Sequence, residues 1–371
     1  METRSFVVPG DALDASLDSA TTLVLAFGDP ALTGGSEAVT ALRRAFPTSI
    51  LLGCSTSGQL VDGTILDAGL VALVARFDHT RLRLARTDVS GTADSCAAGA
   101  RLAAQLPHEG LVGVLLLSDG IVVNGSDLVR GLAAGLPAGV PVSGGLASDH
   151  ARFASSWVLA GTELGPGLLA AVGLYGDRLR VTLGCQGGWG TFGPARAVTR
   201  SEGNRLYELD GRRALTLYKS YLGVYADELP GSALRFPLAV QTDDRPEYVV
   251  RTVLAVDEAD QSMTFAGDMP TGATVQLMRA SHDMLIDGAM AAATQCVAGE
   301  RPLASSLALA VSCVGRRLVL GERAEEELEA VRSVLGGVPL VGFYSNGEVS
   351  SGAGFSELHN QTMTLAMLVE V

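Results

Sequence analysis

One order of secondary-structure elements recurs along the 371-residue chain, and this recurrence limits the folds open to it. The first copy starts with an apolar strand at 21–28, continues through an amphipathic helix near Ser36–Phe46, and ends with three further strands by residue 77. The same strand, helix, strand, strand, strand order is found again over 113–175 and from 306 onwards. This order predicts sheets with helices packed against them.

The copies are most alike in the turn that follows the middle strand. GCSTSGQL (53–60) and GFYSNGEV (342–349) share two glycines five positions apart, hydroxyl residues between them, and Gln or Glu after the second glycine. PVSGGLASD (141–149) keeps only the beginning of this pattern. Paired glycines let a ligand or another strand lie against bare backbone, so the pattern fits a polar notch for a ligand. It fits equally a β-bulge or a hairpin that binds nothing.

Composition excludes several classes of protein. Hydrophobic residues make up 47% of the chain, which is ample for real cores, and the net charge of −13 disfavours nucleic acid and anionic membranes as partners. Apolar runs such as LVGVLLL (111–117) are too short to span a bilayer, and the N-terminal residues lack a signal-peptide core. The five cysteines are scattered without a C-x-x-C pair, which fits neither a disulfide framework nor a zinc site. We therefore expect a soluble cytoplasmic protein.

A longer similarity divides the chain into two related parts. The strand RLRLAR (81–86) and its following helix precede the second copy, whereas ATVQLMRAS (273–281) and a helix to about Val297 precede the third. We predict a mixed α/β (α+β) fold with two pseudo-repeated lobes of mainly antiparallel sheet with packed helices. The expected lobes are 20–225, which includes a linking helix within 204–223, and 226–371.

Several separated motifs resemble those of the FIST proteins, a sensory domain family. SCVGRRLVLG, GVPLVGFYSNGEV and FSELHNQTMTLAML resemble the FIST C module, and GCSTSGQL, LLLSDGIVVNG and NRLYELDGRRALTLYKSYLG resemble the FIST N module. The resemblance implies a sensor of small ligands, with amino acids proposed for the family, and implies no catalysis. No output domain accompanies these modules, so we expect a stand-alone sensor that signals to a separate protein such as a histidine kinase or a cyclic-dinucleotide enzyme.

An amino-acid-like ligand needs donors for its carboxylate and acceptors for its ammonium group, and the natural pair for these roles is Arg316 with Glu348. The alternative is that these two residues form a structural ion pair. Other expected ligand-binding residues lie at the ends of strands or beside the FIST-like ELHNQT segment: Tyr344, Ser345, Asn346, Gly347, His359 and Asn360, with Ser55, Thr56 and Asp119 in the N-terminal lobe.

Some members of the FIST family bind haem and respond to nitric oxide, which makes a haem-binding sensor the alternative function. Haem b requires an axial ligand, and His359 is the best placed by motif. An enzyme is not expected, because GCSTSG lacks the G-x-S-x-G spacing of a nucleophile elbow and no helix follows the glycines of GGWGTFG (187–193). Cys313, beside Arg316, is either a reactive thiol or an inert buried one.

Overall fold

A computed structural model describes residues 1–8, 10–150, 152–243, 247–298, 305–352 and 354–371. The first repeat contains one helix, and its central strand is apolar on both faces because one face meets this helix and the other meets the centre of the molecule. Its elements are β1 (Glu2–Val8), β2 (Thr22–Gly28), α1 (Glu37–Ala45), β3 (Ile50–Ser55), β4 (Gln59–Val61), β5 (Thr64–Leu66) and β6 (Leu70–Arg76).

The second repeat has the same strand order, with one additional helix after its outer strand. Asn124 caps its crossover helix by accepting hydrogen bonds from the backbone N–H groups of Ser126 and Asp127. The elements are β7 (Arg81–Asp88), α2 (Ser95–Ala103), β8 (Leu111–Ser118), α3 (Gly125–Ala134), β9 (Val142–Leu146), β10 (Val158–Ala160), β11 (Glu163–Gly165) and β12 (Leu168–Tyr175).

A separate sheet is inserted between the second and third repeats, with a core of its own. It follows β13 (Leu179–Gln186), and it is followed by α5 (His282–Val297). The insertion consists of β14 (Gly190–Glu202), β15 (Arg205–Leu209), β16 (Arg212–Arg213), α4 (Ala214–Leu222), β17 (Leu238–Gln241), β18 (Val249–Arg251), β19 (Val253–Asp257), β20 (Ser262–Phe265) and β21 (Thr274–Arg279).

The third repeat places two helices between its first two strands. Its elements are β22 (Ser306–Cys313), α6 (Val314–Leu320), α7 (Ala324–Leu335), β23 (Leu340–Ser345), β24 (Gly347–Gly352), β25 (Phe355–His359) and β26 (Met363–Glu370). In each repeat the helical crossover joins two neighbouring parallel strands, whereas the other neighbouring strands are antiparallel. The parallel pairs are β2 and β3, β8 and β9, and β22 and β23.

The three repeats build three sheets with identical strand order, and each repeat gives its short hairpin to another repeat's sheet. The orders are β1-β6-β2-β3-β10-β11, β7-β12-β8-β9-β24-β25 and β13-β26-β22-β23-β4-β5. The hairpin of the first repeat thus joins the third sheet, that of the third joins the second, and that of the second joins the first. The inner faces share one core, in which the rings of Phe27 and Phe343 stack with centroids 4.7 Å apart.

The predicted mixed α/β class, the mainly antiparallel sheets and the packed helices are confirmed. One expectation about a particular element is wrong. The strand β21 does not repeat the role of β7, because it pairs with β14 and β17 in the inserted sheet, and β13 takes the equivalent outer position. The exchanged hairpins also connect sheets across residue 225, since β4 pairs with β23 and β24 pairs with β9. No helix among the described residues has the length and apolar character needed to cross a membrane.

Candidate functional site

The three turns that follow the middle strands meet at the centre of the molecule and hold one another through backbone hydrogen bonds. The Ser57 N–H donates to the Tyr344 carbonyl at 3.0 Å, the Ser148 N–H donates to the Ser55 carbonyl at 3.0 Å, and the Asn346 N–H donates to the Leu146 carbonyl at 3.2 Å. The turns are thus occupied by the protein's own backbone. This favours the interpretation of the glycine pattern as a β-bulge or hairpin over that of a ligand notch.

The first glycine of each turn is required by the neighbouring strand. A Cβ atom on Gly53 would lie 2.0 Å from the Ala26 carbonyl oxygen, and one on Gly342 would lie 1.9 Å from that of Ala310. Gly144 is the third member of this set, with a Cβ position 1.8 Å from a carbonyl oxygen of β8. Each glycine therefore lets two parallel strands approach closely, and none of the three is needed to expose backbone to a ligand.

The residues expected to bind a ligand in the N-terminal part are occupied by local hydrogen bonds. The Ser55 hydroxyl accepts from the Trp157 N–H at 3.1 Å, and the Thr56 hydroxyl accepts from the Gly58 N–H at 3.2 Å. The Asp119 carboxylate accepts from four groups: the N–H groups of residues 121, 122 and 167 and the hydroxyl of residue 156. All three side chains are buried, so their polar groups stabilise the turns.

Arg316 is fully buried and bound on every side. Its Nε donates to Glu327 at 2.7 Å and its Nη2 lies 2.5 Å from the same carboxylate. The other donors reach the carbonyl oxygens of Gly187, Leu285 and Gln361. Arg316 therefore makes no ion pair with Glu348, which was the structural alternative, because its carboxylate partner is Glu327 of α7. A guanidinium group with all its N–H groups satisfied has no donor left for a ligand carboxylate.

Glu327 was not predicted as a site residue, although its position contains a signal. It lies three residues after Ala324 and four before Val331, on the apolar stripe of α7 that faces the core. An acid on such a stripe needs a buried partner. Besides Arg316, Glu327 accepts from the hydroxyl groups of Ser312 at 3.1 Å and Tyr344 at 3.2 Å.

Glu348 is also fully buried, next to a different set of donors. The Ser345 hydroxyl donates to its Oε1 at 2.6 Å, and Thr362 donates to Oε2 from its backbone N–H at 3.1 Å and from its hydroxyl at 3.0 Å. Burial raises the pKa of Glu348 to about 8, although these hydrogen bonds and Arg316 act in the opposite direction. The polar notch expected beside Glu348 is therefore closed by Ser345 and Thr362.

Three further predicted residues of the third repeat also make contacts within the protein. Asn360 is buried, and its side-chain amide bridges the His359 carbonyl at 2.9 Å and the Thr252 N–H at 3.4 Å. Gly347 lies in β24 and pairs with Leu146. The side-chain nitrogen of Asn346 donates to the Gly120 carbonyl at 3.3 Å.

A cleft of about 680 Å³ opens on the other side of Thr362 and His359. Three sheets meet there: β13 belongs to the third sheet, β24 and β25 to the second, and the segment leading into β18 to the inserted sheet. A cavity of this size accommodates a small organic molecule. Its polar and aromatic lining consists of Cys185, Gln186, Trp189, Glu247, Tyr248, Gln295, Ser350, Ser351, Phe355, Glu357, His359 and Thr362.

The cleft contacts the buried Glu348 through two residues. Thr362 lines the cleft and donates to the Glu348 carboxyl group, and His359 is the partner of Glu348 in the β24–β25 ladder.

Cys185 lies on the same wall, where burial raises the pKa of its thiol to about 12 and Glu348 and Glu247 add to that effect. The thiol is therefore protonated at neutral pH and is a poor nucleophile. Burial also raises the pKa of the Cys313 thiol and keeps it protonated. Of the two alternatives for Cys313, a reactive thiol and an inert buried one, this favours the inert thiol.

Ser350 gives the cleft an unusual feature. Its side chain is 1% exposed, it lines the cleft, and its hydroxyl group has no hydrogen-bond partner among the described residues. An unpaired buried hydroxyl group costs folding free energy, about 1–3 kcal/mol. A hydrogen bond from a ligand that reached this group would offset the cost.

His359 is thus the one predicted site residue that lines the cleft. The lining residues of β13, α5 and the inserted sheet were missed because no motif connects them with the third repeat. Phe355, Glu357 and Thr362 lie within the FSELHNQTMTLAML segment, where only His359 and Asn360 were singled out. The alternating pattern of GEVSSG, with Ser350 two residues after Glu348, was the local signal that a polar side chain lies on the same face as the carboxylate.

Comparison with known proteins gives the family. A model described as the FIST N domain matches residues 22–212, and one described as the FIST C domain matches residues 214–351. Uncharacterised proteins from Mycobacterium tuberculosis strain H37Rv and from Mycobacterium bovis are 26% and 25% identical over 265 residues; each match covers 69% of this chain, and 68% and 67% of those proteins. The crystal structure of a cyanuric acid hydrolase from A. caulinodans aligns with a TM-score of 0.35 and 10% identity over 94% of this chain and 89% of that one. Because the two domain matches extend together over most of its length, the chain belongs to the FIST family of sensory domains.

Proposed function

We propose that this protein is a sensor that binds a small polar metabolite in the cleft beside His359 and Thr362 and signals to a separate protein. The observation that carries the proposal is the buried Ser350 hydroxyl group, which has no hydrogen-bond partner in the described part of the chain and lies at a cleft of about 680 Å³. Gln295, His359 and the two cleft carboxylates provide further polar groups around one volume. This lining supports a ligand with an amino group, which is the part of the expected amino-acid-like metabolite that carboxylates can bind.

Signalling requires that the ligand prefers one arrangement of the protein over another. The position of the cleft supports such a preference, because its walls belong to three different sheets. A ligand that contacts β13, β25 and residues 247–250 at once favours the arrangement in which these walls are closest. The surfaces of the inserted sheet and of the repeats would then differ between the free and bound states, and a partner protein can read that difference.

Haem is the alternative ligand, and the cleft lining is a poor fit for it. His359 lies at the wall and is an available type of axial ligand. Haem also carries two propionates, however, and the cleft provides Glu247 and Glu357 but neither lysine nor arginine among the described lining residues. Charge repulsion therefore favours a small organic ligand over haem, and no step of the proposed mechanism depends on a cofactor. The same lining supports binding over catalysis, since the cleft thiol is protonated.

The test is a thermal-shift screen of amino acids, amines and related acids, followed by calorimetry of the ligands that stabilise the protein. We expect at least one saturable ligand whose affinity falls in both Ser350→Ala and His359→Gln. Ser126→Ala, in the neighbouring cavity beside α3, is the matched control and should keep the affinity. If the screen gives no ligand, or if the affinity is unchanged in both cleft variants, the proposal is wrong.

A further inference from the structure

The aromatic side chains of the cleft are unusual for their exposure. Tyr248 is 46% exposed and Phe355 is 55% exposed, and both line the cleft together with the nearly buried Trp189. Tyr248 lies just before β18 of the inserted sheet, Phe355 is the first residue of β25, and Trp189 lies just after β13. The fold therefore brings three aromatic rings from distant parts of the chain to one cleft. Aromatic surface left open to solvent in this way is typical of a recognition site.

The charges of the cleft are acidic. Glu247 is exposed at the rim, and Glu357 is held by the buried Arg251 at 3.1 Å. Arg251 does not line the cleft, and among the described lining residues there is neither lysine nor arginine. The neighbouring cavity of about 510 Å³ differs in this respect, because Arg130 lines it. Among its described lining residues the aromatic cleft thus presents carboxylates and no lysine or arginine side chain, which favours a positively charged ligand.

Aromatic faces and carboxylates attract the same kind of molecule. The face of an aromatic ring is negative and binds ammonium and guanidinium groups, and carboxylates add a longer-range attraction. An anion or a molecule with a free carboxylate would instead face Glu247 without a compensating cation. The hydroxyl group of Ser350 can still bond to a neutral polar group on the same ligand.

We propose that the ligand of this cleft is a small organic cation, with an alkylammonium or guanidinium head group against Tyr248 and Glu247 and a hydroxyl or amide group that reaches Ser350. This inference rests on the proposed function, because it specifies the ligand class of the same cleft. Molecules of net negative charge and zwitterions are expected to bind more weakly than cations of the same shape.

The experiment compares probes of matched shape by calorimetry. Choline and 3,3-dimethylbutan-1-ol have the same outline and differ in the charge of the head group, glycine betaine adds a carboxylate to the same head group, and agmatine tests a guanidinium group. We expect choline or agmatine to bind about tenfold or more tightly than the neutral alcohol and the betaine. Raising the salt concentration should weaken the cation selectively.

Variants locate the site of binding. Tyr248→Ala and Glu247→Gln should each weaken binding of the cation several-fold, whereas Tyr248→Phe should retain it because the ring face is kept. Tyr225→Ala is the matched control, since Tyr225 is 39% exposed and lies outside the cleft.

The outcomes separate the two proposals. If betaine, amino acids or anions bind and lose affinity in Ser350→Ala while choline and agmatine do not bind, the cation inference is overturned and the sensor proposal stands. If a cation binds equally well to Tyr248→Ala, the assignment of the head group is overturned. If no compound in either set binds, the proposed function itself fails, and the inference fails with it.

Discussion

Thr362 donates two hydrogen bonds to the buried carboxyl group of Glu348, one from its backbone N–H at 3.1 Å and one from its hydroxyl at 3.0 Å. The same threonine lines the cleft on its other side. Because both bonds end on one carboxyl oxygen, the position of this cleft wall is tied to the state of a carboxyl group that solvent does not reach.

Glu348 should make stability fall as pH rises. Its pKa is about 8 in the folded protein and 4.5 in an unfolded chain, so the folded state binds more protons between these values. The contribution is complete below pH 4.5 and is lost as pH rises through 8, at a rate of up to about 1.4 kcal/mol per pH unit. We expect Glu348→Gln to flatten this dependence, as measured by urea unfolding between pH 5 and 8.5. Gln59, in the corresponding position of the first repeat, shows that an amide fits such a site. An unchanged slope in the variant would contradict the prediction.

Arg316 should matter for folding and little for ligand choice. Arg316→Ala leaves the Glu327 carboxylate buried without its cation, which costs about 3–5 kcal/mol of unfolding free energy. The double variant Arg316→Met, Glu327→Leu should recover much of this loss, because it removes both charges. Denaturant unfolding measures each effect. A single variant as stable as the unmodified protein would show that the buried pair is dispensable.

The helices and the turn motif could be predicted from the sequence, but the site could not. The stripe formed by Ala324, Leu328 and Val331 is local, and it predicts α7 correctly. The exchange of hairpins leaves no local pattern, because the pairing of Leu60 with Gly342 joins strands that are far apart in the chain. The partner of Arg316 was missed although periodicity places Glu327 on the apolar stripe of α7, because no local pattern shows that the buried cation comes from α6.

The glycine at the centre of β23 should tolerate no side chain. In Gly342→Ala the new Cβ would lie 1.9 Å from the Ala310 carbonyl oxygen, which forces two parallel strands apart. We expect a loss of about 1–3 kcal/mol or more in unfolding free energy. Gly337→Ala, in the turn before the same strand, is the control, because nothing lies within 4 Å of its Cβ position. Equal stability of the two variants would contradict the close approach.

Haem should not bind. Titration of the purified protein with haem should give no Soret band beyond that of free haem, because the cleft lining offers carboxylates to the propionates. His359→Ala is the informative variant. A Soret band that appears with the unmodified protein and disappears in this variant would favour the haem-binding alternative over the proposed metabolite sensor.

Cys185 should report on occupancy of the cleft. At neutral pH its protonated thiol reacts slowly with an uncharged maleimide, whereas the exposed Cys96 is labelled first. In a Cys96→Ser background, mass spectrometry should show labelling of Cys185 that accelerates with rising pH and slows in the presence of a saturating cleft ligand. The remaining cysteines, Cys54, Cys296 and Cys313, are buried and should stay unlabelled in the folded protein. Labelling of Cys185 that a bound ligand leaves unchanged would place that ligand outside the cleft, and the variants of Ser350 and Tyr248 would then have no effect on its affinity.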